Sequence, residues 1–272
     1  MINILKYHYD VLLTKKSFKY FCIIAIIFNL LYAIFALGSS LGYQVNNGFD
    51  LGLLFTMDNG EYIGANLIRL DLIKLLAFII LLLYIPNLVA NISYDELSFK
   101  DTIEMRIGRS KFLKSKLLTS FIIGFTIAFL FYGLNTLFMQ IAIDSKSSII
   151  SSGISFRLYE NALFPMLVET NPNIFALMYC MLISIFYGLI GLITYSLSLI
   201  IDRKAITIVA PMLLVFAYSC MLEKMIGSKA SIINILIQHT AEQGSNLFIL
   251  LWPIFFMIVT IISIALKISK EV

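Results

Sequence analysis

Residues 75–92 read LLAFIILLLYIPNLVANI, an uncharged run in the first half of the chain. At about 1.5 Å per residue, a helix of this length crosses most of the roughly 30 Å hydrocarbon core of a bilayer. The whole chain has 272 residues, of which 60% are hydrophobic and 13% charged, and its mean hydropathy is +0.93. This composition is typical of an integral membrane protein and lies outside the range of soluble globular domains.

Comparable apolar runs recur along the chain, so the sequence predicts an all-α polytopic membrane protein. The connections between the runs are short, which favours a single transmembrane domain over 1–272 without a separate soluble catalytic domain. We expect six spanning helices, at 20–37, 75–92, 117–143, 174–201, 205–222 and 247–266.

The distribution of Lys and Arg predicts the orientation of the chain. In a six-span topology most of the 20 basic residues fall on one side of the membrane, in the N-terminal segment, the second and fourth connections and the C-terminal tail. Short loops rich in Lys and Arg remain cytoplasmic. Both termini and the connection between the second and third spans are therefore predicted to be cytoplasmic.

Two further helices are predicted at the membrane surface. Residues 2–14 place Ile2, Leu5 and Tyr9 at helical spacing between charged residues, which indicates an amphipathic helix along the inner leaflet. The alternative is a longer first span. The outer connection 223–246 contains SIINILIQH, which is too short to span and predicts a short interfacial or re-entrant helix between the fifth and sixth spans.

The predicted spans contain amides, hydroxyls and small residues but no central Asp, Glu, Lys or Arg. This absence argues against a proton- or sodium-coupled carrier, and it removes the acid–base or metal groups that a membrane enzyme needs. We therefore predict no catalytic, cofactor-binding or metal-binding residues. On the fourth span, Ser184, Gly188 and Gly191 form a small-residue face that predicts close packing against another helix.

The chain carries no phosphate-binding loop of its own, because no Gly is followed at the required distance by Gly-Lys-Ser or Gly-Lys-Thr. Any ATP-derived energy must therefore come from a partner protein. The cysteines Cys22, Cys180 and Cys220 all fall within predicted spans, where they form no disulfide or metal-binding framework. Nothing in the sequence predicts a nucleic-acid partner.

The densest block of charge, YDELSFKDTIEMRIGRSKFLKSK, occupies residues 94–116. Its acids precede its bases, as the helix dipole prefers, and an apolar residue recurs every four positions from Phe99 to Ile107. This pattern predicts a short amphipathic helix at 94–107 that lies parallel to the membrane. The alternative is an ordinary solvated loop whose bases interact with anionic lipid.

The proposed ends of this amphipathic helix carry local signals. Ser93 is followed three residues later by Glu96, which is a capping-box pattern and predicts a new helix start. Gly108 predicts the end of that helix, and Ser110 is predicted to cap the start of the third span.

The charged block resembles the first cytoplasmic loop of ATP-binding-cassette permeases of the second exporter type. The resemblance lies in the order Glu96, Thr102-Ile103-Glu104, Arg109-Ser110-Lys111-Phe112 and Lys116. The predicted amphipathic N-terminal helix, six spans, cytoplasmic termini and outer re-entrant segment are also similar to that family, so the resemblance covers the whole chain. The chain departs from the family pattern in having no Gly directly before Thr102 and no Pro near Arg109.

This resemblance implies a permease subunit that works with cytosolic ATPase subunits and with a second copy or a related permease. ATP and Mg would bind to the ATPase, with no cofactor on this chain, and 94–107 would be a coupling helix docked on the ATPase. The residues expected to contact the ATPase are Glu96, Asp101, Thr102, Glu104, Arg106 and Arg109. Those expected to anchor the chain at the inner leaflet are Lys15, Lys16, Lys111, Lys114 and Lys116.

The resulting functional hypothesis is ATP-driven export of a hydrophobic or amphipathic cargo, such as an antimicrobial or toxin-like peptide or a drug. Enrichment in Ile, Lys, Asn, Phe and Tyr resembles an AT-rich bacterial genome and favours the bacterial cytoplasmic membrane. A second hypothesis is a scaffold or sensor subunit that binds a cytosolic partner through 94–107 and transports nothing. A membrane enzyme ranks last.

Overall fold

The computed structural model describes residues 14–42, 65–95, 108–142, 172–227 and 246–270. These residues form helices, with one short described connection at 199–203, and no strand occurs among them. The all-α prediction is therefore confirmed for the described part of the chain. The helices are α1 (Lys16–Gly42), α2 (Ala65–Asp95), α3 (Arg109–Ala142), α4 (Pro172–Ser198), α5 (Lys204–Ile226) and α6 (Asn246–Lys270).

Five of these helices are long and apolar enough to cross a membrane, which makes the chain a multi-pass membrane protein. The shorter apolar stretch Phe18–Ile34 lies in α1. The five candidate spans are Leu75–Tyr94 in α2, Ser110–Phe138 in α3, Leu177–Ser198 in α4, Lys204–Ile226 in α5 and Leu251–Ser269 in α6.

Several helices extend beyond the apolar runs that predict them. Helix α3 begins at Arg109 instead of 117, and α2 begins at Ala65 instead of 75. Polar residues near a membrane surface do not interrupt backbone hydrogen bonding, so a helix continues through them. The 34 residues of α3 extend about 51 Å, which exceeds the roughly 30 Å hydrocarbon core.

Helix α4 lies at the centre of the bundle and contacts α2, α3, α5 and α6. In its most apolar window 67% of the residues are buried inside the protein, compared with 22% in α6. A helix that is apolar on all sides is expected in such a central position. The more exposed helices turn much of their apolar surface away from the bundle.

Helices α3 and α4 cross at unusually close range through three glycines. A Cβ atom on Gly124 would lie 2.4 Å from the carbonyl oxygen of Tyr187, and one on Gly191 would lie 2.4 Å from the carbonyl oxygen of Ser120. Gly188 lies at the same crossing. The close packing predicted for Gly188 and Gly191 is thus confirmed, and Gly124 supplies the matching position on α3.

Many of the polar side chains inside the bundle donate hydrogen bonds to backbone carbonyls. The Ser184 hydroxyl, part of the predicted small-residue face, donates to the Cys180 carbonyl within α4 at 2.6 Å. Bonds between helices are made by Tyr187, whose hydroxyl donates to the Phe78 carbonyl at 3.1 Å, and by Asn29, whose amide donates to the Phe131 carbonyl at 3.2 Å. Such bonds are worth about 0.6 kcal/mol each in a membrane.

An aromatic cluster joins α6 to the centre of the bundle. The Phe186 ring of α4 lies 6.3 Å from Phe78 of α2, 6.1 Å from Trp252 and 5.3 Å from Phe256 of α6, measured between ring centroids. All four side chains are buried. These contacts hold α2, α4 and α6 together without requiring close backbone approach.

Three predicted elements lie wholly or mostly outside the described residues. They are the amphipathic helix 2–14, the charged residues 96–107 and the apolar run SIINILIQH in the connection 223–246.

Candidate functional site

One end of the bundle, here named the charged end, is where α2, α4 and α6 terminate and where α3 and α5 begin. One cavity lies at this end of the bundle. It is lined by residues from the ends of α2, α4 and α6, from the start of α3 and from the α4–α5 connection. The chain leaves α2 at Asp95 and enters α3 at Arg109, so the charged segment connects two helices at this end. The charged end is therefore the place where a partner bound to the segment would act.

The end of α2 differs from the capping-box prediction. Ser93 lies in the last turns of α2, and its hydroxyl donates to the Val89 carbonyl at 2.9 Å. A serine inside a helix commonly satisfies its hydroxyl in this way, with the carbonyl four residues earlier. The prediction that Ser93 is an N-cap is therefore wrong, because Tyr94 and Asp95 belong to α2 and not to a new helix.

The start of α3 is set by Gly108. Its φ of +87° lies in the left-handed region that glycine adopts without strain, which agrees with the predicted break at this position. The Gly108 carbonyl accepts the Phe112 N–H at 3.0 Å, so Gly108 occupies the N-cap position. Ser110 lies in the first turn of α3, and its predicted capping role is wrong because the helix already begins at Arg109.

Tyr94 connects the end of α2 to the α4–α5 connection. Its hydroxyl donates to the Ile201 carbonyl at 2.5 Å and lies 3.0 Å from the Thr207 hydroxyl. Tyr94 donates its proton to Ile201, whereas the Thr207 hydroxyl can donate either to Tyr94 or to the Arg203 carbonyl at 3.4 Å. Tyr94 stands at the start of the charged segment in the sequence, but nothing local indicates these two partners.

The cavity at the charged end has a volume of ≈ 310 Å³. Its wall combines two lysines, one aspartate, four hydroxyl-bearing residues and three apolar residues. The lining residues are Ser93, Tyr94, Phe112, Lys116, Tyr195, Ser198, Leu199, Ile201, Asp202 and Lys267.

Lys116 is placed differently from the other predicted membrane anchors. Its side chain is only 4% exposed, it lines the cavity, and its Nζ lies 5.6 Å from the centroid of the Phe112 ring. Lys111 and Lys114 are exposed on the outer face of α3, and near the start of α1 Lys16 is exposed and Lys15 half-buried. Because each residue advances about 100° around a helix, Lys116 points away from the face that carries Lys111 and Lys114. Lys116 therefore lies inside the bundle, in contrast to Lys111 and Lys114, and the anchoring of these lysines at the inner leaflet stays a prediction.

Most of the predicted ATPase-contact residues lie outside the described part of the chain. These are Glu96, Asp101, Thr102, Glu104 and Arg106, whereas Arg109 is the first residue of α3 at the charged end. Within the described ranges, no group of three or more His, Cys, Asp and Glu side chains could hold a metal ion. The cysteines Cys22, Cys180 and Cys220 are free thiols.

Comparison of the chain with protein-family models, curated proteins and solved structures gives no match. The resemblance to ATP-binding-cassette permeases accordingly rests on the residues of the charged segment and on the order of the helices. What the chain can do has to be inferred from the charged end and from the way it is joined to the rest of the bundle.

Proposed function

We propose that this chain is the transmembrane subunit of an ATP-driven exporter, related to ATP-binding-cassette permeases of the second exporter type. A separate cytosolic ATPase would bind the charged segment between α2 and α3 and move it. Residues 96–107 remain the proposed contact, with Tyr94 and Asp95 completing α2. Two copies, or this chain and a related permease, would form the translocation path.

The observation that supports this proposal is that both helices joined by the charged segment are attached to α4. The end of α2 is hydrogen-bonded through Tyr94 to the α4–α5 connection. Helix α3 packs closely against α4 at the glycine crossing, where there is no space for added side-chain atoms. A displacement of the charged segment would therefore move α4 and α5 together with α2 and α3.

In this proposal α1 is a sixth span and both termini lie in the cytoplasm of a bacterium. Helix α1 has 27 residues, which corresponds to about 40 Å and exceeds the thickness of the hydrocarbon core. Its apolar stretch Phe18–Ile34 is shorter than the other candidate spans. The described spans carry no charged residue near their centres, which suits a hydrophobic or amphipathic cargo such as a peptide or a drug.

The first experiment is purification of the chain from its native membranes in mild detergent, followed by identification of co-purified proteins. We expect an ATPase with a phosphate-binding loop in an equal molar amount. The complex is then reconstituted into liposomes, and ATP hydrolysis and cargo export are measured together.

Reversal of one charge tests the coupling directly. Glu104→Lys should leave the chain folded but uncouple ATP hydrolysis from export, because it inverts the charge that the segment presents to the ATPase. Glu223→Lys is the matched control, since Glu223 is exposed in the last turn of α5, far along that helix from Lys204. If no ATPase co-purifies, or both variants behave like the wild type, the exporter proposal fails and the scaffold or sensor hypothesis is favoured.

A further inference from the structure

One face of α2 is open along much of its candidate span. Since each residue advances about 100° around a helix, Leu76, Ile80, Asn87 and Asn91 fall within about 60° of one another. Leu76 and Ile80 are exposed, whereas Asn87 and Asn91 are half-buried. The opposite side of the helix, which carries Ile85, is buried in the bundle. The four residues Leu76, Ile80, Asn87 and Asn91 are here named the open face of α2.

Neighbouring helices lie beside the open face. On one edge the Tyr84 ring stacks on the Phe21 ring of α1, with the ring centroids 4.3 Å apart. At the charged end the Tyr94 hydroxyl lies 3.0 Å from the Thr207 hydroxyl of α5. The open face is therefore a strip between α1 and α5.

The open face carries two amides that are only partly satisfied. The Asn91 Nδ2 donates to the Asn87 Oδ1 at 3.0 Å. An asparagine amide offers two N–H donors and one oxygen acceptor, so this bond uses only part of the pair. Among the described residues, the second N–H of Asn91, the side-chain N–H groups of Asn87 and the Asn91 Oδ1 have no hydrogen-bond partner. The pair therefore keeps donors and an acceptor for a further partner.

These amides lie at a depth where lipid cannot satisfy them. Asn87 precedes Tyr94, the last residue of the candidate span, by seven residues, which is about 10 Å. This distance places Asn87 inside the roughly 30 Å hydrocarbon core, where acyl chains offer no hydrogen bonds. Polar side chains in spans therefore favour protein partners, and asparagine is among the residues that form hydrogen bonds across helices.

The apolar surface elsewhere on the bundle does not select a partner in the same way. Leu213 of α5 is 61% exposed, but lipid tails are as apolar as a leucine side chain and pack against it without loss. The amides thus distinguish the open face of α2 from the exposed apolar side chains of the other helices.

We propose that the open face of α2 is a self-association surface, which packs against the open face of a second copy of this chain. In a two-fold pair the same residues meet on both sides, so a donor of one copy faces an acceptor of the other. Two pairs of Asn87 and Asn91 are complementary in this way, because each pair contains both kinds of group. A polar asparagine in an apolar helix interface also fixes the register of the two helices. The inference does not depend on the proposed ATPase, since it uses only described residues of α2 and of the helices beside it.

The first test measures association of the full-length chain in liposomes by Förster resonance energy transfer between labels on an added C-terminal tag. No ATPase is present, so failure here is separate from failure of the proposed function. We expect the wild type to associate and the double variant Asn87→Leu, Asn91→Leu to raise the dissociation constant about tenfold, since each lost hydrogen bond accounts for about threefold. Asn29→Leu makes the same chemical change on a buried amide of α1 and should leave association unchanged.

Liposomes are required because dilution in detergent micelles separates the copies. Unfolding of the single chain in micelles therefore does not report their association.

A cross-linking experiment identifies the face that meets the second copy, and it does not rely on a loss of affinity. Cys220, the exposed native thiol, is first replaced by Ser. On oxidation with copper phenanthroline in the same liposomes, Asn91→Cys should form a disulfide between copies, because Asn87 still pairs and the two-fold brings equivalent residues together. Leu213→Cys, on the side of α5 that is turned away from the bundle, should not.

Three results would overturn the proposal. The first is a wild-type chain that stays monomeric in liposomes, and the second is an Asn29→Leu variant that weakens association as much as the double variant. The third is cross-linking of Leu213→Cys equal to or greater than that of Asn91→Cys, because contact between copies would then be random or made through α5.

Discussion

The crossing of α3 and α4 and the charged end are held together by different physical means. At the crossing, backbone lies against backbone, and an added methyl group on Gly124 would lie 2.4 Å from a carbonyl oxygen. At the charged end, α2, α3, α4 and α6 surround a cavity of ≈ 310 Å³ and are joined by hydrogen bonds of side chains such as Tyr94. The crossing should therefore be sensitive to volume, and the charged end to individual polar groups.

These two regions are close to each other along α3. Gly124 follows Lys116 by two helical turns, which is about 12 Å. A close-packed crossing so near the cavity should make α3 and α4 move together at the charged end, while the side chains around the cavity should keep room to rearrange. This combination suits the proposed transmission of movement from the charged segment into the bundle.

The largest effect is expected at the glycine crossing. Gly124→Ala should lower the free energy of unfolding by about 3 kcal/mol, at the upper end of the range for overpacking, because the new Cβ meets backbone that cannot move aside. Unfolding can be followed by circular dichroism in mixed micelles titrated with dodecyl sulfate.

Gly133→Ala on the same helix is the matched control. No described atom lies within 4 Å of a Cβ built there. Since alanine is the better helix former by up to about 1 kcal/mol, this variant should be as stable as the wild type or more so. Equal losses in both variants would show that the crossing is not close-packed.

An intermediate effect is expected from Tyr94 at the charged end. Tyr94→Phe removes the bonds to the Ile201 carbonyl and the Thr207 hydroxyl, and it should lower the free energy of unfolding by about 1 kcal/mol. Tyr20→Phe, on a side chain of α1 that is 62% exposed, should cost nothing measurable.

A double-mutant cycle with Thr207→Val isolates the contact between Tyr94 and Thr207. Because the two hydroxyls form one chain of hydrogen bonds, the combined variant should lose at least about 0.5 kcal/mol less than the sum of the single variants. Strict additivity would mean that Tyr94 and Thr207 do not interact, and the attachment of α2 at the charged end would then rest on the Ile201 carbonyl alone.

The sequence predicts the existence of the helices better than their ends. Long apolar runs in water-free surroundings must form helices, so each of the predicted spans falls largely within a helix of the structure. Their ends are harder to predict, because serine and lysine are compatible both with a loop and with a helix that continues. Ser93 illustrates this ambiguity: its sequence pattern is that of a cap, yet the carbonyl of Val89 is available within α2 and takes its proton.

The contacts between helices were predictable only in part. Gly188 and Gly191 stand three residues apart and mark a small-residue face by their spacing alone, but Gly124 becomes their counterpart only through the register between two helices. The cavity shows the same limitation. Lys116 and Lys267 are far apart in the chain, and no local pattern brings them to one wall.

The smallest effect is expected from Asn29, which joins α1 to α3 by a single bond. Its amide donates to the Phe131 carbonyl at 3.2 Å, and its Oδ1 is buried without a hydrogen-bond partner among the described residues. Asn29→Leu removes this interhelical bond, worth about 0.6 kcal/mol in a membrane, together with the bond of the same amide to the Ala25 carbonyl within α1, but it also removes that buried acceptor. The two changes oppose each other, so the free energy of unfolding should fall by less than about 0.6 kcal/mol.

Asn91→Leu is the control for replacing an amide with an apolar side chain. The Asn91 amide donates to Asn87 within α2, so this bond does not join two helices. This variant should not reduce stability in the same micelle titration. A loss at Asn29 as large as that of Gly124→Ala would contradict the comparison, since one polar contact would then stabilise the bundle as much as the close-packed crossing. A loss below that of Tyr94→Phe would agree with the expected order, in which the Tyr94 contact at the charged end contributes more than the Asn29 contact between α1 and α3.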